Sequence, residues 1–87
     1  MKITLRSSGS LARLIAASDS VTQTASGSFE GRWSEELTLG ELIESLGCTG
    51  RPLLCVIDGQ SIPVDDRDNR QLSDGMQIAL MPPIRAG

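Results

Sequence analysis

The chain has 87 residues, an apolar fraction of 39% and a formal net charge of −3, proportions that suit one small soluble domain with a modest core. No apolar run approaches the ~18 residues that cross a bilayer, and there is neither a basic stripe nor an aromatic platform for nucleic acid. Histidine is absent, which removes Ser-His and Cys-His nucleophile pairs and the usual metal-ligand sets.

Residues 2–7 alternate, with Ile3 and Leu5 on one face and Lys2, Thr4 and Arg6 on the other, which predicts a half-buried strand. The same alternation leaves no apolar h-region of the secretory kind, so a cytoplasmic protein is expected. Ser7-Ser8-Gly9-Ser10 interrupts the strand, and Ser10 is placed to cap a short helix carrying Leu11, Leu14 and Ile15 on one side. Residues 18–28 are small and polar and read as a surface loop, with Val21 and Thr22 able to add a little strand. Ser28 to Trp33 alternates again and puts the two aromatics, Phe29 and Trp33, on one face, as core or as partner contact. Gly31 between them reads as a bulge.

The strongest local pattern runs from Leu37 to Gly47. Thr38 and Glu41 stand at capping-box spacing, Leu37 and Leu42 form the hydrophobic staple, and Leu39, Leu42, Ile43 and Leu46 make one helical stripe. Gly47 supplies the stop. Leu53 to Ile57 is a continuous apolar run, expected as a strand buried on both faces. Asp58-Gly59 signals a type I′ hairpin, with Gln60 to Val64 returning as a short strand limited by Pro63. Asp65 to Arg70 reads as a solvated loop, since the glycine and terminal glutamate of a calcium loop are missing. Cys55 reads as a small core residue and Cys48, just past the helix, as an exposed thiol; their spacing fits no redox pair or zinc site.

After the turn Ser73-Asp74-Gly75, Met76 to Met81 forms the last strand, with Met76, Ile78 and Leu80 to one side. Pro82 and Pro83 cannot donate to a ladder, so this strand must end by Met81. The six residues Pro82-Pro83-Ile84-Arg85-Ala86-Gly87 would then extend, reaching roughly 20 Å at 3.3–3.6 Å per residue. A tip made of Ala86 and Gly87 is as slim as a peptide can be, which suits the delivery of a carboxylate into a deep site. An ordinary frayed terminus is the alternative.

The order strand, short helix, strand, helix, strand, strand, strand predicts an α+β roll, a mixed sheet wrapped over the helix at Leu39 to Leu46. Its final strand would lie inside the sheet, with the N-terminal strand as a possible neighbour. Gly47-Cys48-Thr49-Gly50-Arg51 lacks the lysine of a phosphate-binding loop. The carboxylates cluster in turns, so a paired acid/base site is not expected, and the chain would act with others.

Taken together, Lys2-Ile3-Thr4-Leu5-Arg6, then Thr38 to Gly47, then Val56-Ile57-Asp58-Gly59-Gln60, and finally Leu72-Ser73-Asp74-Gly75 through Pro83, resemble the ubiquitin-like sulfur carriers of the MoaD/ThiS type. The likeness covers residues 2–6 and 38–87 and is greatest to the small subunit of molybdopterin synthase. It implies a β-grasp domain over 1–81 and an extended tail over 82–87. It also implies a non-catalytic carrier with no bound cofactor, whose Gly87 carboxyl is adenylated by an E1-like adenylyltransferase at the expense of ATP and then thiocarboxylated. The large subunit of molybdopterin synthase would receive the tail, with Ala86 and Arg85 lining its path, Ile84 between, and Pro82-Pro83 stiffening the exit. Apolar sheet-face residues beside the last strand would dock the partners; no nucleic acid or membrane partner is implied. Where the family ends in Gly-Gly, this chain has Ala86. Alternatives of another class are a non-carrier interaction subunit or regulator of a metalloenzyme complex; within the carrier class, thiamine and amino-acid sulfur delivery are the alternatives.

Overall fold

The computed structural model describes residues 1–83. Six strands form one mixed sheet: β1 (Lys2–Arg6), β2 (Val21–Ala25), β3 (Ser28–Arg32), β4 (Leu54–Ile57), β5 (Gln60–Ser61) and β6 (Gln77–Met81). Their spatial order is β2-β3-β1-β6-β4-β5. Two helices, α1 (Gly9–Ala16) and α2 (Leu39–Ser45), supply Leu11, Ile15, Leu39, Leu42 and Ile43 to a core shared with Ile3, Leu5, Phe29, Cys55, Ile57, Ile78 and Leu80 of the sheet. The helix side of the sheet is thus its buried face, and the other face is open. This is the β-grasp, ubiquitin-like architecture.

Helix α2 starts where its side chains dictate. The Glu41 N–H donates to Thr38 Oγ1 at 3.2 Å, and the Thr38 N–H donates to Glu41 Oε1 at 3.0 Å, a closed capping box. Gly47, at φ +75°, lets the chain turn after the last helical residue without the Cβ clash another residue would meet. The hairpin at Asp58-Gly59 has both residues at positive φ, +52° and +79°, as a type I′ turn requires.

Several expectations are corrected. Residues 21–25 are a full edge strand, paired antiparallel to β3 across Ser26-Gly27. Threonine and valine favour extended backbone, but four of the five side chains are exposed, so the strand shows no apolar alternation. The irregularity assigned to Gly31 lies instead in β2, between Gln23 and Ala25. Gly31 has another role: a Cβ there would fall 2.5 Å from the Trp33 ring and 2.6 Å from the Ser20 carbonyl oxygen. Trp33 folds over that bare backbone and its Nε1–H donates to Ser45 Oγ at 2.9 Å, joining the end of β3 to α2.

The cap of α1 is Ser8, not Ser10, and its side chain makes no capping bond. Strand β4 is buried on one face only, because Leu54 and Val56 project to the open side. The return strand is limited to Gln60–Ser61, and Val64–Asn69 winds into a 3₁₀ helix that packs on α2. Cys48 is fully buried, since the turn after α2, in which its N–H donates to Ile43 O at 3.1 Å, carries it back under the helix.

Candidate functional site

The site is the root of the C-terminal tail. Strand β6 runs parallel to β1, with Thr4, Leu5 and Arg6 beside Gln77, Ile78 and Ala79, and antiparallel to β4. One of the two central strands of the sheet therefore leads directly into Pro82-Pro83. Ile78 and Leu80 anchor it in the core, and the ladder stops at Met81, before the two prolines. Ser8 Oγ approaches Met81 Sδ at 3.6 Å, which ties the start of α1 to the end of β6.

Pro82 and Pro83 are half-buried and line a groove of about 290 Å³ together with Leu11 and Leu14 of α1 and the segment Arg51-Pro52. With φ fixed by their rings, Pro82 and Pro83 have little backbone entropy left to lose. The other predicted site residues, Ile84, Arg85, Ala86 and Gly87, lie outside the described residues.

On the open face beside this root, β4 and β6 set Leu54 opposite Met81 and Val56 opposite Ala79. Leu54 is 40% exposed, and the four side chains make an apolar strip flanked by Arg6, whose Cα is in register with Ala79. Sequence reading expected apolar sheet-face residues beside the last strand without singling these out. The continuous run Leu53 to Ile57 hides its own alternation; pairing it with Gln77–Met81 in antiparallel register would have exposed it.

The cysteines offer no competing chemistry. Burial pushes the Cys48 thiol up, Arg51 opposing, and pushes Cys55 up to about 11, with Arg67 opposing and Cys48 adding to it. Both are free and buried, so neither presents a thiolate to a substrate. Among the described residues no group of three or more His, Cys, Asp or Glu side chains could hold a metal ion, and no helix is long and apolar enough to cross a membrane.

Two solved structures share the fold. SAMP1 from Haloferax volcanii superposes with a TM-score of 0.67 at 13% identity over 100% of both chains. A second structure, of H. volcanii small archaeal modifier protein 1, gives 0.65 at 12% identity over 95% of this chain and 98% of that one. No curated protein matches the chain. The ThiS family profile matches residues 13–87, a span that runs from the middle of α1 through the proline pair to Gly87. With a β-grasp sheet and a match to this profile over most of its length, the chain belongs to the ThiS family of small ubiquitin-like sulfur carriers.

Proposed function

We propose that this protein carries sulfur on its C-terminal carboxyl for molybdopterin biosynthesis. Gly87 is the acceptor, and Pro82 to Ala86 form the arm that delivers it. A free carboxylate, with an ordinary pKa near 3.3–3.7, is ionised at neutral pH and is a poor electrophile. An E1-like adenylyltransferase using ATP converts it to an acyl adenylate with AMP as leaving group, and a sulfur donor displaces AMP to leave the thiocarboxylate. The large synthase subunit then takes the arm into its pocket. The observation that carries this reading is the tail root: the central strand ends at a proline pair seated in a groove, beside the open apolar strip of Leu54, Val56, Ala79 and Met81. That layout gives a partner a surface to hold while the arm enters its site.

The test is an intact-mass spectrum after incubation with the E1-like enzyme, ATP and a sulfide source. Oxygen-to-sulfur exchange located at Gly87 is expected, and co-purification of a molybdopterin synthase large subunit assigns the pathway. A second reading, protein modification through the same carboxyl, is favoured by the fold neighbour that bears the name modifier protein. It predicts amide conjugates with target lysines in place of sulfur delivery.

A further inference from the structure

Ser7 is the one buried polar residue among those described, at 5% exposure. Its N–H donates to the Gly27 carbonyl oxygen at 2.9 Å, which carries the β1–β3 pairing one step past Arg6 and Ser28. Its side chain therefore falls on the helix side of the sheet, as those of Ile3 and Leu5 do. There the Ser7 hydroxyl is buried with no hydrogen-bond partner among the described residues. A hydroxyl in that state carries an uncompensated desolvation penalty, which a bound acceptor removes.

Ser7 lines a cavity of about 540 Å³ between α1 and the β2–β3 hairpin. Helix α1 turns one face to it, with Gly9, Ala12, Arg13 and Ala16 at i, i+3, i+4 and i+7. The hairpin adds Gln23 and Ser26, and no carboxylate lines the cavity, although the chain as a whole carries a net charge of −3. The start of α1 is uncompensated. Ser8 stands at the N-cap without making a capping bond, and the first turn holds no acidic residue. The N–H groups of Gly9, Ser10 and Leu11 have no acceptor among the described residues, and within the same set Arg13 makes no ion pair. The positive end of a helix, free N–H donors, a buried hydroxyl and a guanidinium together suit an oxyanion.

The volume lies within the range of small-molecule sites and is more than a bare tetrahedral anion fills. Ala12 and Ala16 lead away from the helix start beside the buried Phe29 ring, which leaves a shallow floor for whatever group carries the anion. We propose that this cavity binds a small phosphate monoester, its phosphate held at the start of α1 by Ser7 and Arg13 and its ester group lying along Ala12 and Ala16. The site is separate from Gly87 and does not depend on the chemistry of the tail.

The experiment follows backbone amide shifts and titration calorimetry of the full chain with ribose 5-phosphate, inorganic phosphate and ribose as probes. Ribose 5-phosphate should bind with a Kd of about 1 mM or tighter and move the amides of Gly9, Ser10 and Leu11. Inorganic phosphate should move the same amides but bind about threefold or more weakly, and ribose should leave them in place. Ser7→Ala should lower the affinity about tenfold. The same variant, free of ligand, should unfold at an unchanged or higher temperature, because it loses only an unpartnered hydroxyl; a serine kept for structure would not separate the two effects in this way. Arg13→Gln should weaken binding about three- to tenfold and spare the fold. Amides at the start of α1 that ignore both phosphates, shifts that ribose reproduces, or an affinity unchanged by Ser7→Ala overturn the proposal. Inorganic phosphate binding as tightly as ribose 5-phosphate removes the ester subsite and overturns it too, as does a Ser7→Ala chain that is destabilised without ligand.

Discussion

Leu54 and Met81 stand directly opposite each other across β4 and β6, on the open face of the sheet, and Met81 is the last residue before the proline pair. One cross-strand pair thus joins the exposed apolar strip to the departure point of the tail. A partner that grips the strip has the arm aimed from a fixed position, which is what threading a terminus into a pocket requires. Leu54→Asp should leave folding stability within about 1 kcal/mol, because the side chain is already exposed. It should weaken association with the E1-like enzyme about ten- to hundredfold, as removal of a central apolar anchor does. Titration calorimetry beside thermal unfolding separates the two effects, and unchanged affinity would remove the strip from the docking surface.

Two glycines where a Cβ would meet a close neighbour should respond oppositely to alanine. At Gly31 the new Cβ meets the Trp33 ring and the backbone oxygen of Ser20, and backbone cannot swing aside. Gly31→Ala should therefore cost about 1–3 kcal/mol, the range of overpacked sites, with a change in the emission of Trp33, the single tryptophan. At Gly40 the nearest atom is an oxygen of Asp68, the far end of an exposed side chain that can rotate away. Gly40→Ala gains up to about 1 kcal/mol of helix propensity and should come out neutral to stabilising. Equal losses at both positions in denaturant titrations would refute this account.

How much of this was legible beforehand follows from which residues face the core. Helix α2 was readable because Thr38, Glu41 and its leucine stripe state the same register in three independent ways. The end of β6 was readable because proline removes a donor whatever surrounds it. Strand β2 was not, because Val21 to Ala25 is an edge strand whose extended form depends on pairing with β3, a partner that periodicity does not see. Leu54 and Val56 were hidden by apolar neighbours that point the other way. Cys48 was misplaced because the chain reversal after Gly47 carries it inward, although its position after a helix suggests exposure. The open apolar strip, assembled from β4 and β6, therefore emerged only with the register between two strands about twenty residues apart in sequence.

Cys55 makes stability depend on pH in the alkaline range. In the unfolded chain the thiol ionises near 9.0, and in the folded protein burial holds it protonated up to about 11. Below pH 9 the thiol is neutral in both states and its contribution is complete. As pH rises from 9 toward 11 the unfolded chain releases a proton that the folded chain keeps, so stability falls, by roughly 2–3 kcal/mol over the window. Cys48 shifts in the same direction and adds to the slope. Urea titrations at pH 8 and pH 10.5 should show the loss, and Cys55→Ala, with a lower baseline, should show a flatter profile. A wild-type stability that does not change across this range would mean that the thiol is not held protonated by the core.

The tail itself is tested at its last two positions. The resemblance to the sulfur carriers implies glycine at position 86, and the methyl of Ala86 restricts φ and ψ there. Where the partner's channel demands positive φ, an L-residue costs about 1–2 kcal/mol, five- to thirtyfold in affinity or rate. Ala86→Gly should accordingly raise the rate of thiocarboxylation by about that factor while thermal unfolding is unchanged. Removal of Gly87 should abolish the oxygen-to-sulfur exchange and equally spare the fold. A truncated chain that still acquires sulfur would move the acceptor away from the terminal carboxyl. An Ala86→Gly chain with unaltered kinetics would mean that this partner accepts the arm with a negative φ at that residue.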